Sequence, residues 1–593
     1  MAIPARILLI AVVLSCVVAD VDEVFYGDYK LGDNKVNYNF LGITRDMNQP
    51  VACEASWAFA ITSTMSALFN RNTPNATREV NLSPQMLISC HGEGFTCDKG
   101  DNFKVDGVLE KLKTVGVSDE SCNNYRASDL HECTNYDKCS DVRNVEDIHV
   151  EPKSTALDYD EYKLKNFLRI DSTQPDEAAK IKELFNLVTS SLTKNGPVLC
   201  QINHDEGLFS YRVNKPQIYK PEGSPANTYF TWVSVVGYQK LNDKTAAFVL
   251  QAPFGDNVGY HGLVYIPASE TTNAFSVLNN CYELDIDPTI NRVSNPDPKI
   301  TSAYASRIFG LKSVKKINSD AKKFLNQGLD LSESPKTPYE VVIASAGDET
   351  PVDWRNYQGR NLLTYVKNQH IPTYCGSCWI QSATSVLADR MNIANYKKGI
   401  VFPRIVLSTQ AVINCRVAGT CYGGDSSLFF EKARNWPVPV ETCQTYQAHN
   451  PTDFSCPAQS KCVLKSNTQT TALDKFNSVT VADWGRVRGV DAMKAKLADG
   501  PIVCDIMVTQ PFEDYKIDGD VNIFNTNVDY LYINHSISVV GWGIKDNVQY
   551  WIGRNSWGKE WGYNGFFYIQ AGVNMLGIES DCMWATPKYS SFA

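Results

Sequence analysis

Cys378 stands in Gln369-His370-Ile371-Pro372-Thr373-Tyr374-Cys375-Gly376-Ser377-Cys378-Trp379, and the residues after it, Ile380 to Ile393, lack proline and glycine and repeat apolar positions at helical spacing. The thiol therefore opens a helix. Partial positive charge at a helix N-terminus favours thiolate, the nucleophilic form of cysteine. Such a nucleophile needs a base, and the chain beyond residue 350 offers His370, His449 and His535. His535 lies in Ile533-Asn534-His535-Ser536-Ile537-Ser538-Val539, whose alternation reads as a strand presenting the imidazole from a sheet. Asn555, in Arg554-Asn555-Ser556-Trp557-Gly558, belongs to the next strand and its turn, where its amide can orient that imidazole. A small buried hydrophobe is the ordinary alternative for a lone cysteine; the neighbours of Cys378 argue against it.

The other cysteines form two parallel series. Those at 53, 90, 97, 122, 133 and 139 recur at 375, 415, 421, 443, 456 and 462, displaced by 321–325 residues, and those at 200 and 281 recur at 504 and 582. This is a tandem duplication, with roughly twenty extra residues between Cys139 and Cys200 of the first copy. Leu82-Ser83-Pro84-Gln85 answers Leu407-Ser408-Thr409-Gln410, and Val235-Val236-Gly237-Tyr238 answers Val539-Val540-Gly541-Trp542. Cys378 has no counterpart. Eight structural cysteines per copy imply four disulfides each and leave its thiol unpaired.

Length and composition agree with this organisation. At 593 residues the chain holds several domains, and 43% hydrophobic with 20% charged residues excludes a disordered or coiled-coil chain. A net charge of -9 excludes a basic nucleic-acid footprint. The run Ile7 to Ala19, preceded by Arg6, is too short for a membrane span and reads as a signal peptide over 1–19, placing the rest in an oxidising compartment. The expected divisions are a first copy at 20–290, a linker or pro-segment at 291–350 and a second copy at 351–593. From Lys299 to Lys323 the linker has seven Lys or Arg against one acid, with apolar residues at helical spacing, so a basic amphipathic helix is expected at 304–325. It carries no cysteine to cap Cys378, so latency is expected to be noncovalent and relieved by clipping near 340–350. Asn75-Ala76-Thr77 is a glycosylation sequon expected to be occupied; Asn534-His535-Ser536 is expected to be bare. The cysteines are consumed by disulfides, so no metal and no cofactor are expected.

Cys375-Gly376-Ser377-Cys378-Trp379, Asn534-His535 and Asn555-Ser556-Trp557-Gly558 resemble the papain family of cysteine peptidases, across essentially all of 351–593. The resemblance implies an α+β fold of two tandem papain-like domains, each with a helical lobe and a β-barrel-like lobe. It implies a catalytic set of Cys378, His535 and Asn555, with the Gln369 side chain and the Cys378 N–H holding the oxyanion. Cys421-Tyr422-Gly423-Gly424 resembles the family's glycine wall, so Gly423 and Gly424, with Trp557, are expected to contact substrate. Gln369 lies nine residues before the cysteine rather than six. The insertion, His370-Ile371-Pro372, is similar to the cathepsin X (cathepsin Z) branch, whose members are lysosomal carboxypeptidases. That branch implies disulfides 375–421, 415–456, 443–462 and 504–582, and by position 53–97, 90–133, 122–139 and 200–281 in the first copy.

The same alignment empties the first copy of chemistry. Ser56 takes the place of Cys378, Met47 of Gln369, Asn48 of His370, Thr231 of His535 and Ala252 of Asn555, while Lys99 replaces Gly423. His204 and His261 hold no motif position. The expected protein is a lysosomal or secreted cysteine-type carboxypeptidase, active in its second copy on peptides or proteins with a free C-terminus. His370 and Tyr374 would receive the terminal carboxylate, and the two copies would contact each other. A papain-like endopeptidase and a non-catalytic peptide-binding protein are the alternatives.

Overall fold

The computed structural model describes residues 24–25 and 41–590, apart from 73–76, 99–102, 130–132, 134–137, 144–152, 222–228, 243–244, 295–349, 400–402, 466–468, 518–520, 527, 529–530 and 532. The signal peptide, the linker helix and its clipping site, Lys99 and Asn75 lie outside the described residues.

The two copies are built on one plan. In the first, the helix Ser56–Asn72 (α1) is followed by the strands Leu164–Ile170 (β1), Val198–His204 (β2), Tyr229–Asn242 (β3), Thr245–Gln251 (β4), Leu263–Pro267 (β5) and Cys281–Ile286 (β6), ordered β1-β6-β2-β3-β4-β5 across the sheet. In the second, the helix Cys378–Lys397 (α2) is followed by Ser478–Val487 (β7), Ile502–Ile506 (β8), His535–Lys545 (β9), Val548–Arg554 (β10), Phe566–Gln570 (β11) and Cys582–Ser590 (β12), ordered β7-β12-β8-β9-β10-β11. Each order reproduces the other, and all these neighbours pair antiparallel. Most of the first copy's extra length goes into the helix Glu177–Lys194, where the second has only Val490–Leu497. All eight disulfides pair as the branch resemblance implies. Among the described residues Cys378 is the free cysteine, and no helix is long and apolar enough to cross a membrane.

α2 is buried along almost its whole length, so its polar residues must find partners inside. Asp389, fully buried, meets Arg554 at the end of β10 at 2.6 Å and accepts the Thr364 N–H at 2.6 Å. This ion pair ties the helical lobe to the strand that leads into Asn555.

The copies pack against each other with approximate two-fold symmetry. The Asp256 N–H donates to Thr442 Oγ1 (2.9 Å) and the equivalent Lys559 N–H donates to the equivalent Ser121 Oγ (3.1 Å). Gly255 and Gly558 precede these donors with φ of +84° and +79°. A Cβ on either would meet the opposite copy, Thr442 Cβ at 3.0 Å and the Ser121 carbonyl at 3.2 Å. Both the left-handed backbone and the close approach therefore require glycine. Glu79 meets Arg404, which occupies the same position in the other copy, with contacts of 2.5 and 2.6 Å. Glu120 and its equivalent Glu441 line a common cavity of about 60 Å³ together with Arg45 and Lys367, and burial pushes both carboxyls upward.

Asp46 and Glu560 also lie at this junction, and burial pushes each to about 7, against the Asn48 N–H and Lys465 for Asp46 and against Arg292 for Glu560. A carboxyl whose proton is held more tightly in the packed state favours packing fully only below its ordinary value near 4. The preference is lost as pH rises from the ordinary value near 4 towards 7, because only the separated state ionises there. Protein cut within the linker is expected to elute as one particle at pH 5 on size exclusion and to separate more readily above pH 7. Glu79→Arg, which sets two guanidinium groups face to face, is expected to separate the cut halves at either pH.

Candidate active site

Cys378 is the first residue of α2, and its thiol lies within reach of the Ser536 N–H at the start of β9. Burial pushes that thiol up to about 11, with the Ser536 and Trp379 N–H groups and its own acting in the opposite direction. His535, the preceding residue of β9, is lowered to about 4 by burial, against the Asn555 hydrogen bond. Burial thus disfavours an isolated charge on either group, and an imidazole at this value stays an unprotonated base in mildly acidic solution. Proton transfer from sulfur to imidazole adds no net charge to the buried site, so only the separation of charge must be stabilised.

The tautomer follows from the partners. Asn555 Oδ1 accepts the Ser556 N–H (2.8 Å), which points the oxygen, not the NH2, at His535 Nε2 2.8 Å away. Nε2 therefore carries the hydrogen and Nδ1 keeps its lone pair. Trp557 covers the pair, its ring 4.9 Å from the imidazole and tilted by 33°.

Gln369 is positioned through both amide atoms. Nε2 donates to the Cys375 carbonyl (3.3 Å) and Oε1 accepts from Ser556 Oγ (2.6 Å). The Gln369 N–H donates to the Ser556 carbonyl (2.8 Å) and the Gly558 N–H to the Lys367 carbonyl (3.1 Å), an antiparallel bridge pairing Asn368 with Trp557. Tyr446 Oη donates to the Gln369 carbonyl (2.8 Å), within 2.7 Å of Ser377 Oγ. A Gln amide, a helix N-terminus carrying a thiol and an oriented imidazole suit acyl transfer through a thioester. Ser556 and Tyr446 were not singled out by sequence reasoning. Ser556 lay inside the quoted Asn-Ser-Trp-Gly motif, whereas nothing in its local sequence marked Tyr446.

The family model described as "Papain family cysteine protease" matches residues 41–282 and 349–586. The chain belongs to the papain family. It is 42% identical to Cathepsin Z of Onchocerca volvulus over 252 residues, 40% of this chain and 79% of that protein. It is 29% identical to Cathepsin B-like cysteine proteinase 6 of Caenorhabditis elegans over 246 residues, 37% of this chain and 61% of that protein. Among solved structures, bromelain from Ananas comosus in complex with the E64 inhibitor shares 28% identity over 40% of this chain and 98% of its own, with a TM-score of 0.31.

His370, Tyr374, Gly423 and Gly424 lie on the segments that flank Cys375 and its disulfide partner Cys421. His370 follows Gln369, its N–H donating to Asn368 Oδ1 (3.0 Å), and its ring is stacked on half-buried Tyr374 at 4.9 Å and 13°. His370 itself is 3% exposed. Gly423 and Gly424 form a short strand against Gly419–Thr420, and a Cβ on Gly424 would stand 2.4 Å from the Trp379 ring, so only glycine keeps that wall flat. His449 is not part of this set; its carbonyl accepts from Gln410 Nε2 at 2.9 Å.

In the first copy the same scaffold holds different groups. Ser56 heads α1, fully buried, with its Oγ accepting the Trp232 N–H (3.0 Å). Thr231 pairs with Ile202 as His535 pairs with Ile506. His204 Nε2 lies 2.8 Å from Thr231 Oγ1 and its Nδ1 donates to the Asp205 carbonyl (2.7 Å), so the imidazole is a core hydrogen-bonding group rather than a displaced base for Ser56. Asn81 of the sequon Asn81-Leu82-Ser83 is buried, with its amide donating to Glu79.

Asp505 was not anticipated. It opposes Ser536 across the β8–β9 ladder, accepts from Ser536 Oγ, and its charge raises the Cys378 thiol. Burial first, then Asp581 and Asp425, bring Asp505 to about 7, against Ser536 and Arg486. Below that pH it is neutral and ceases to oppose the thiolate. The second-order rate of Cys378 alkylation is expected to fall for wild type as pH rises through 7, relative to Asp505→Asn, which keeps a neutral side chain throughout.

Proposed function

We propose that the second copy is a cysteine-type carboxypeptidase that removes single C-terminal residues at acidic pH, with Cys378 as nucleophile, His535 as base, Asn555 as its orienter, and Gln369 with the Cys378 N–H as oxyanion donors. The thiolate attacks the last peptide carbonyl, the tetrahedral oxyanion collapses to a thioester as imidazolium protonates the leaving amine, and water activated by the imidazole releases the acid. Substrates are peptides or proteins with a free C-terminus, and the disulfides and the cathepsin relatives fit a secretory or lysosomal route.

The observation that carries the exopeptidase reading is the three-residue insertion after Gln369, whose His370 imidazole stacks on Tyr374. Protonated, it offers a terminal carboxylate a charge-assisted hydrogen bond of about 1.5–3 kcal/mol. The contact needs the cationic form of the imidazole, which acid favours. The burial of His370 favours a second reading, a papain-like endopeptidase in which the ring stays covered and serves the loop.

His370→Ala is expected to slow cleavage of free-carboxylate peptides by about ten- to a hundredfold while barely changing C-terminally amidated ones. Equal loss on both would favour the endopeptidase. An epoxide probe that never labels Cys378 in folded, linker-cut protein would leave a non-catalytic peptide-binding protein.

A further inference from the structure

We propose that the first, non-catalytic copy is a positioning partner of the second copy's active site, acting through Ser121. This inference rests on the reading of Gln369 as an oxyanion donor. Ser121 touches both arms of the bridge that holds Gln369. Its carbonyl accepts from Asn368 Nδ2 (3.1 Å), the residue before Gln369, and its Oγ accepts the Lys559 N–H (3.1 Å), two residues after Trp557. Asp119, two residues earlier, meets Lys559 Nζ at 2.6 Å, and this ion pair is nearly buried on both sides. Both arms are therefore anchored from outside their own domain, one at the segment carrying the oxyanion amide and the other just beyond the ring covering His535.

The contact is a device of the interface and not an accident of one loop. Thr442 makes the reciprocal bond to the Asp256 N–H, beside the Asp46–Phe254 bridge that corresponds to Asn368–Trp557. On that side the braced segment carries Met47, which has no polar group to aim. The brace thus has a chemical consequence in one direction only. Gln369 must hold its amide within a few tenths of an ångström of where the oxyanion forms, and losing such a donor outright costs about 10²–10³ in kcat. Loosening its support should cost a fraction of that.

The test compares Ser121→Thr with Ser121→Val in the full, linker-cut chain. The two side chains have nearly the same shape, and threonine is what the equivalent position carries. The expected result is near-wild-type kcat for Thr and a fall of about tenfold for Val, with KM unchanged. Alkylation of Cys378 by iodoacetamide, a displacement that needs no oxyanion hole, should proceed at the same rate in both. Equal kcat in the two variants overturns the proposal. So does a loss in Val that affects alkylation as much as hydrolysis, which would mark a general structural role. Should wild type itself be alkylated yet hydrolyse no peptide, the reading of Gln369 as an oxyanion donor fails first and takes the positioning role with it.

Discussion

The short antiparallel contact between Asn368-Gln369 and Ser556-Trp557-Gly558 is the constraint on which the rest of the site depends. It joins a loop of the helical lobe to the turn after β10. Through it, Ser556 aims the Gln369 amide, and the turn it stabilises carries Asn555 towards His535 and Trp557 over the pair. The buried Arg554–Asp389 ion pair supports the same turn from behind by fixing the end of β10 to α2, the helix that presents Cys378. Losing one partner of such a pair costs about 3–5 kcal/mol because the survivor is left charged in the core. The lobes cannot drift apart without breaking contacts that also set the chemistry.

The packing of the two copies extends this logic outward. Reciprocal contacts such as Ser121 with Lys559 and Thr442 with Asp256 follow the pattern of an isologous dimer, in which one patch meets its own equivalent. A duplicated chain can depart from that symmetry, and this one has done so in charge. Glu79 and Arg404 occupy the same position and meet each other, so two first copies would set carboxylate against carboxylate there, and two second copies guanidinium against guanidinium. Lys559 finds Asp119, while its equivalent Asp256 accepts instead from Asn477 Nδ2. Unlike copies are favoured over like ones, which is specificity gained by penalising the alternative.

Much of the fold was legible because disulfides leave a countable trace. The offsets between the two cysteine series revealed the duplication, and the family resemblance supplied the pairing found in the structure. The residues gathered around Cys378 were legible for a related reason: a Gly-Ser-Cys-Trp run, a histidine opening a strand and an Asn-Ser-Trp-Gly turn are local strings. What stayed hidden was set by distance in sequence. Ser121 is 438 residues from Lys559, and Asp505 is 31 residues from Ser536, and neither sits in a string that distinguishes it from surface polar residues. A hydrogen bond between copies has no periodicity to read. The burial of His370 was equally invisible, since a loop rich in polar residues carries no sign of what packs on it.

The retention of four disulfides and a full sheet in the first copy follows from the same interface. Ser121 is effective only if its backbone is rigid, and it immediately precedes Cys122, whose disulfide to Cys139 fixes that loop, while Asp119 Oδ1 accepts the Ser121 N–H at 3.0 Å. Ser56, Thr231 and Ala252 stand at buried positions equivalent to Cys378, His535 and Asn555, on elements that keep the second copy's plan: Thr231 pairs with Ile202, and Ser56 heads its helix. The first copy holds none of those three side chains at these positions. It cannot lose its core, because the surface that meets the second copy is only as firm as the sheet and disulfides behind it.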